Sequence, residues 1–235
     1  MSGDAIRFDG VSFFFGSLPV LVDVGFEVEP GELVHLVGRS GSGKTTLLRL
    51  AHGQLRPRTG LVSVNGVPIL PKRDLRRLRR RVHMIFQDSR LLPRLTALEN
   101  VTYALRVADL GLTAGEARRR ARAALCDAGL ERRMDAFPWQ LSAGQRQRAA
   151  VARAVACAPA VVLADEPMAN LDAASSEVMK CLFRRLTRTG TAVLLATCDV
   201  DLGELGSHAA GRVLYLEAGA LAEHHPGGTR RWAAV

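Results

Sequence analysis

Cysteines, aromatic residues and long apolar runs are all scarce in this chain of 235 residues. The four cysteines, Cys126, Cys157, Cys181 and Cys198, are scattered with no Cys-x-x-Cys pair. That spacing argues against a disulfide framework or a zinc site and leaves reduced thiols as the default. No uncharged apolar stretch approaches the ~20 residues that span a bilayer. Met1-Ser2-Gly3-Asp4 has neither a basic region nor an apolar core, so no secretory signal is expected and the chain should stay in the cytosol. No repeat or linker is visible. The apolar fraction of 48% is ample for a core, and the length fits one domain, with or without an inserted subdomain.

Net charge is +9, and nearly all the cations are arginine. The densest run, Lys72 to Arg81, could meet nucleic acid or anionic headgroups. Aromatic residues do not interleave with it to stack bases. It reads instead as the solvated face of a short helix with Leu75, Leu78 and Val82 on the buried side, and no nucleic-acid partner is expected.

What the chain does have is Gly38-Arg39-Ser40-Gly41-Ser42-Gly43-Lys44-Thr45, directly after the apolar run Leu33 to Val37 and before a helix starting near Lys44. Strand, glycine-rich turn and helix in that order make a phosphate site. Glycines let successive N–H groups curl toward an anion, and the helix aims its positive dipole end at the same point. Gly38, Ser40, Gly41, Ser42, Gly43, Lys44, Thr45 and Thr46 are the candidate nucleotide-binding residues. Lys44 would reach the β- and γ-phosphates, and the Thr45 hydroxyl would ligate Mg²⁺.

Strands are expected over Ile6 to Phe15, Val20 to Val28, Leu61 to Val64 (before the turn Asn65-Gly66) and Val82 to Phe86. From about Asp88 the pattern turns helical, with capping boxes at Thr96/Glu99 and Thr113/Glu116 and a stop at Gly129. Ser142 opens a helix from Ala143 to Cys157. Strands return at Ala160 to Ala164 and Thr191 to Thr197, on either side of a helix from about Ala173 to Arg188. A hairpin over Arg212 to Ala222 precedes a tail from His224.

Val161 to Ala164 reads as a buried parallel strand ending in Asp165-Glu166, at the sheet edge where ligands sit. Asp165 can hold the Mg²⁺ water shell, and Glu166 can polarise an attacking water as general base. Ser142, as the cap of its helix, offers a second anion site with the N–H groups that follow it. One chain already has a phosphate loop, so this second site suggests service to another chain's nucleotide.

On these motifs the chain resembles the ATP-binding-cassette (ABC) ATPases over nearly its whole length. The resemblance implies an α/β fold: a P-loop NTPase core (1–87 and 159–223), an inserted helical subdomain (88–158), an N-terminal antiparallel β region and a tail (224–235). It makes Gln87 the Q-loop glutamine, a candidate for catalysis and for the metal shell. It makes Leu141 to Gln145 the signature, with Ser142, Gly144 and Gln145 contacting nucleotide, and Asn170-Leu171-Asp172 the D-loop on a dimer seam. Phe15 stands where this family stacks an aromatic on adenine, with Phe13 and Phe14 as near alternatives; a core role for Phe15 stays open. Within the family, the stretches Met84 to Asp88, Phe137 to Ser142 and Leu163 to Pro167 resemble the cell-division ATP-binding subunits, and lipoprotein-release and macrolide-export ATPases share much of this wording.

The resemblance implies ATP and Mg²⁺, a homodimer, an integral membrane partner, and a peripheral place on the inner face of a bacterial plasma membrane. Three positions depart from the pattern. Ala143 replaces a glycine, Met168 replaces a threonine, and Cys198 stands where the family has its switch histidine, with His208 ten residues on. The last departure opens two readings: slow hydrolysis, or an ATP-dependent scaffold without hydrolysis.

Overall fold

A computed structural model describes residues 4–69, 76–109, 111–169, 171–198, 211–224 and 231–232. Leu75, Asn170, His208 and most of the tail lie outside them. The N-terminal strands β1 (Ile6–Phe15) and β2 (Leu18–Val28) pair antiparallel, and β1 also pairs with β4 (Thr59–Val64). The Asn65-Gly66 turn closes β4 onto a two-residue strand, β5 (Val67–Pro68), which the sequence pattern did not reveal. These four strands form one sheet in the order β2-β1-β4-β5.

The second sheet is built on β3 (Leu33–Val37), β6 (Val82–Ile85), β7 (Val161–Asp165), β8 (Ala192–Thr197) and β9 (Arg212–Glu217), all parallel. Strands β10 (Ala220–His224) and β11 (Arg231–Trp232) extend it antiparallel, giving the order β11-β10-β9-β3-β8-β7-β6. Part of the segment expected as a tail is therefore sheet: Arg231 and Trp232 pair with Glu223 and Ala222, because β10 leaves an open edge.

Helix α1 (Lys44–Ala51) follows β3, and the short α2 (Arg76–Arg81) precedes β6 with Leu78 and Val82 buried. Helices α3 (Ala97–Ala108), α4 (Ala114–Asp127) and α5 (Ala143–Ala156) lie between β6 and β7, and α6 (Ala173–Arg188) lies between β7 and β8. Thr96 and Thr113 each accept from the N–H of a glutamate three residues on, and each glutamate reaches back, so both capping boxes close.

Both faces of the parallel sheet are covered, which is why β7 reads as an unbroken apolar run. Side chains alternate between two cores. Val161, Leu163, Leu194 and Ala196 face a core shared with α1 and the N-terminal sheet. Val162, Ala164, Val193 and Leu195 face one shared with α3 to α6. Leu125 is fully buried in that second core. Leu125→Ala should cost about 2–5 kcal/mol of unfolding free energy in urea titrations, and Thr113→Ala about 1 kcal/mol. Equal losses would show that α4 packs less tightly than its burial implies.

Candidate functional site

The phosphate loop leaves the carboxyl end of β3 and turns into α1 at Gly43, whose φ of 107° only glycine adopts without strain. A Cβ on Gly38 would lie 2.4 Å from the Leu216 carbonyl oxygen and 2.5 Å from Ser42 Oγ, so the loop closes only around a bare backbone. The N–H groups of Gly41, Gly43, Lys44, Thr45 and Thr46 donate to no acceptor among the described residues. Ser42 Oγ is buried without a partner. Donors of this kind are satisfied by water or by an anion, and the helix dipole favours the anion. An open groove of about 460 Å³ beside the loop, bordered by Ser40, Gly41, Cys198 and Tyr215, leaves room for one.

Lys44 is almost completely buried. Its ammonium donates to the carbonyl oxygens of Gly38 at 2.6 Å and Arg39 at 3.1 Å and to Cys198 Sγ at 3.3 Å, and stands 3.7 Å from Glu166 Oε1. The Thr45 hydroxyl donates to Asp165 Oδ1 at 3.2 Å. Thr45 and Asp165 thus present two oxygens side by side, the donor type that a hard divalent cation takes. Burial holds the Asp165 carboxyl above its ordinary range, and the neighbouring Glu166 charge adds to this against the Thr45 bond and the Arg49 and Lys44 charges.

Glu166 carries a φ of 46°, a left-handed backbone conformation costing about 1–3 kcal/mol for a residue with a side chain. Its N–H bonds the Ala196 carbonyl, and its own carbonyl accepts from Ala169, which holds the twist. The Cys198 thiol donates to Glu166 Oε1 at 2.7 Å. That bond comes first, and burial second, in raising the thiol's pKa above its ordinary value; Lys44 works the other way.

The signature residues stand apart from this cluster. Ser142 caps α5: its hydroxyl accepts from Gln145 N–H at 3.2 Å while Gln145 Oε1 accepts from Ser142 N–H at 3.0 Å. The Gln145 carbonyl is thereby engaged in the cap, whereas the exposed Ser142 hydroxyl keeps its proton to give. None of the Lys44 partners belongs to this segment. Asp172 likewise caps α6 through the Ser175 N–H. Phe15 is half exposed at the tip of the β1–β2 hairpin, edge-on to the buried Phe13, while Phe14 lies under Arg58. The same hairpin reaches the phosphate loop, because Val20 O and Leu21 lie about 3 Å from where a Gly43 Cβ would be.

Gln87 is exposed just past β6 and makes no hydrogen bond among the described residues. Its loop is fixed by residues that motif reading passed over. Gln147 Nε2 donates to the Phe86 carbonyl at 3.0 Å, and Arg153 Nη1 donates to the Arg90 carbonyl at 3.0 Å. The Arg90 guanidinium lies 3.6 Å over the Phe86 ring. A signal was available: Gln147 shares the buried face of α5 with Ala150, Val151 and Ala154, and a polar residue on that face needs a partner.

A glycine loop with free N–H groups, a buried lysine and two carboxylates at the neighbouring strand end make the phosphate-handling site of an ATP hydrolase. The chain belongs to the ABC transporter ATPase family, whose profile matches residues 21–169. It is 44% identical over 219 residues to the cell division ATP-binding protein FtsE of Escherichia coli (strain K12), covering 92% of this chain and 96% of that one. It is 41% identical over 224 residues to the aliphatic sulfonates import ATP-binding protein SsuB of Delftia acidovorans, covering 94% and 83%. Among solved structures, the dimeric ATP-binding cassette MJ0796 bound to ADP and Pi superposes with a TM-score of 0.81 at 34% identity, covering 91% of this chain and 95% of that one.

A carboxyl whose folded-state pKa lies above its unfolded value contributes stability that is complete below the unfolded value and lost as pH rises through the folded one. Asp165 is such a group. Without metal, Asp165→Asn should therefore be more stable than the parent near pH 7, with the gap shrinking toward about pH 4. Urea unfolding at both pH values checks this, and a variant less stable than the parent near pH 7 contradicts it.

Proposed function

We propose that this ATPase is the FtsE-like subunit of a membrane complex, coupling ATP-driven dimer closure to an FtsX-like polytopic partner in bacterial cell division. The observation that carries it is the division of the site. Lys44, Thr45, Asp165 and Glu166 converge in one chain, while the exposed Ser142 stands at a separate helix start. Two copies packed head to tail put ATP between the phosphate loop of one and Ser142 and Gly144 of the other, with Phe15 against the adenine. The terminal phosphate then favours the closed pair, and its loss releases it. Lys44 and the loop N–H groups hold the phosphates, and Glu166 takes the proton of the attacking water. Thr45, Asp165 and Gln87 would hold Mg²⁺, which would offset phosphate charge.

Coupling to a membrane partner runs through the loop at 86–90. Arg153, which anchors that loop, also lines an open apolar groove of about 530 Å³ with Leu92, Tyr103 and Val107. His83 in that groove is pushed down to about 4 by burial, then by Arg153 and His52, so it is neutral near pH 7. The groove's positive charge comes from arginine, including Arg80, and no carboxylate lines it among the described residues. No described helix is long and apolar enough to cross a membrane, and we place the chain on the inner face of the plasma membrane, held there by this partner.

Sequence similarity to SsuB keeps a second reading, the ATPase of a transporter, in view. Glu166→Gln should lower hydrolysis about 10²–10⁴-fold and leave ATP binding in place. Affinity capture of this variant from native membranes with ATP should recover an FtsX-like protein; an importer or exporter permease would move the function to transport, and no membrane protein would remove the proposed partner. Cys198 supports slow turnover, because a thiol is a poor substitute for an imidazole. Cys198→His should raise the ATPase rate by about 10² or more. A rate unchanged or lower would dismiss the thiol as the cause.

A further inference from the structure

Strand β8 runs between β3 and β7, so Cys198 leaves the sheet between the phosphate loop and the Asp165-Glu166 pair. Its sulfur contacts Glu166 Oε1 at 2.7 Å and Lys44 Nζ at 3.3 Å. Hydrogen-bond capacity sets the direction of both. An ammonium only donates, a carboxylate only accepts, and a thiol has one proton. Lys44 therefore donates to sulfur, and the thiol proton goes to Glu166. The same count closes on Lys44, whose three N–H donors meet three acceptors: the carbonyls of Gly38 and Arg39 and the Cys198 sulfur. The sulfur is the weakest of these and the most distant.

We propose that Cys198 is a positioning residue for Glu166 and not a sensor of the terminal phosphate. It holds the carboxylate with its one proton, yields its place on Lys44 to an incoming phosphate oxygen, and turns only lone pairs toward that oxygen. The chain then distinguishes ATP from ADP without a donor from residue 198. This rests on the reading that the terminal phosphate of ATP sits on Lys44. The thiol's raised pKa, led by its bond to Glu166, agrees with a proton held there.

Two readouts test the proposal. The first is alkylation of the nucleotide-free protein by iodoacetamide, followed by peptide mass mapping with the exposed Cys126 and Cys181 as internal references. Glu166→Gln removes the carboxylate that holds the proton, so Cys198 should react at least about threefold faster while the references stay constant. An unchanged rate at Cys198 overturns the proton assignment. The second is ATP and ADP affinity by calorimetric titration. Cys198→His adds a donor to a charged group and should raise the ATP-to-ADP affinity ratio about tenfold or more, whereas Cys198→Ala should hold it within about twofold. No rise with histidine, or a tenfold fall with alanine, overturns the proposal. A parent chain that binds neither nucleotide instead overturns the nucleotide reading, and with it the phosphate half of the proposal.

Discussion

Parallel pairing of β3, β8 and β7 is the constraint on which the site depends. Val37 pairs with Thr197, and Ala196 pairs with Asp165, so the three strands stop at nearly the same level. The phosphate loop, Cys198 and the two carboxylates therefore emerge side by side, although about 150 residues separate Lys44 from Cys198. A one-residue slip in either pairing would put these strand ends out of level and exchange the side chains that fill the two cores. Packing energy on the two sides of the sheet thus also sets the geometry of the chemistry.

Within that frame, charge is placed where burial makes it expensive. Lys44 is nearly inaccessible and is compensated by two backbone carbonyls, a thiol and a nearby carboxylate. Asp165 is less well compensated, which its raised pKa records. Glu166 adds backbone strain to the same corner. Costs of this kind concentrate where a ligand relieves them, and the free N–H groups and the orphaned Ser42 hydroxyl next to them await the same anion.

A second feature is the tie between α5 and the loop after β6. Gln147 and Arg153 come from the helix that Ser142 caps, and both grip the backbone on either side of Gln87. The helix that Ser142 opens and the Gln87 loop are therefore joined directly through two hydrogen bonds.

Much of this was legible in the chain itself. Glycine spacing, the apolar run before Asp165-Glu166 and the two Thr-x-x-Glu boxes act over a few residues, and local sterics and capping leave them few alternatives. Helix ends and most strands came out where these signals put them. What sequence could not supply was any contact between distant segments. The β11 pairing depends on an open edge at β10, the hold of Gln147 on Phe86 depends on how α5 lies across β6, and the Lys44–Cys198–Glu166 triangle depends on strand order. Sequence determined which charged and nucleophilic groups the chain can offer, because residue chemistry is local. Tertiary structure decided which of them share protons, because that follows from distance, and distance across a sheet is set by the pairing of strands far apart in the chain.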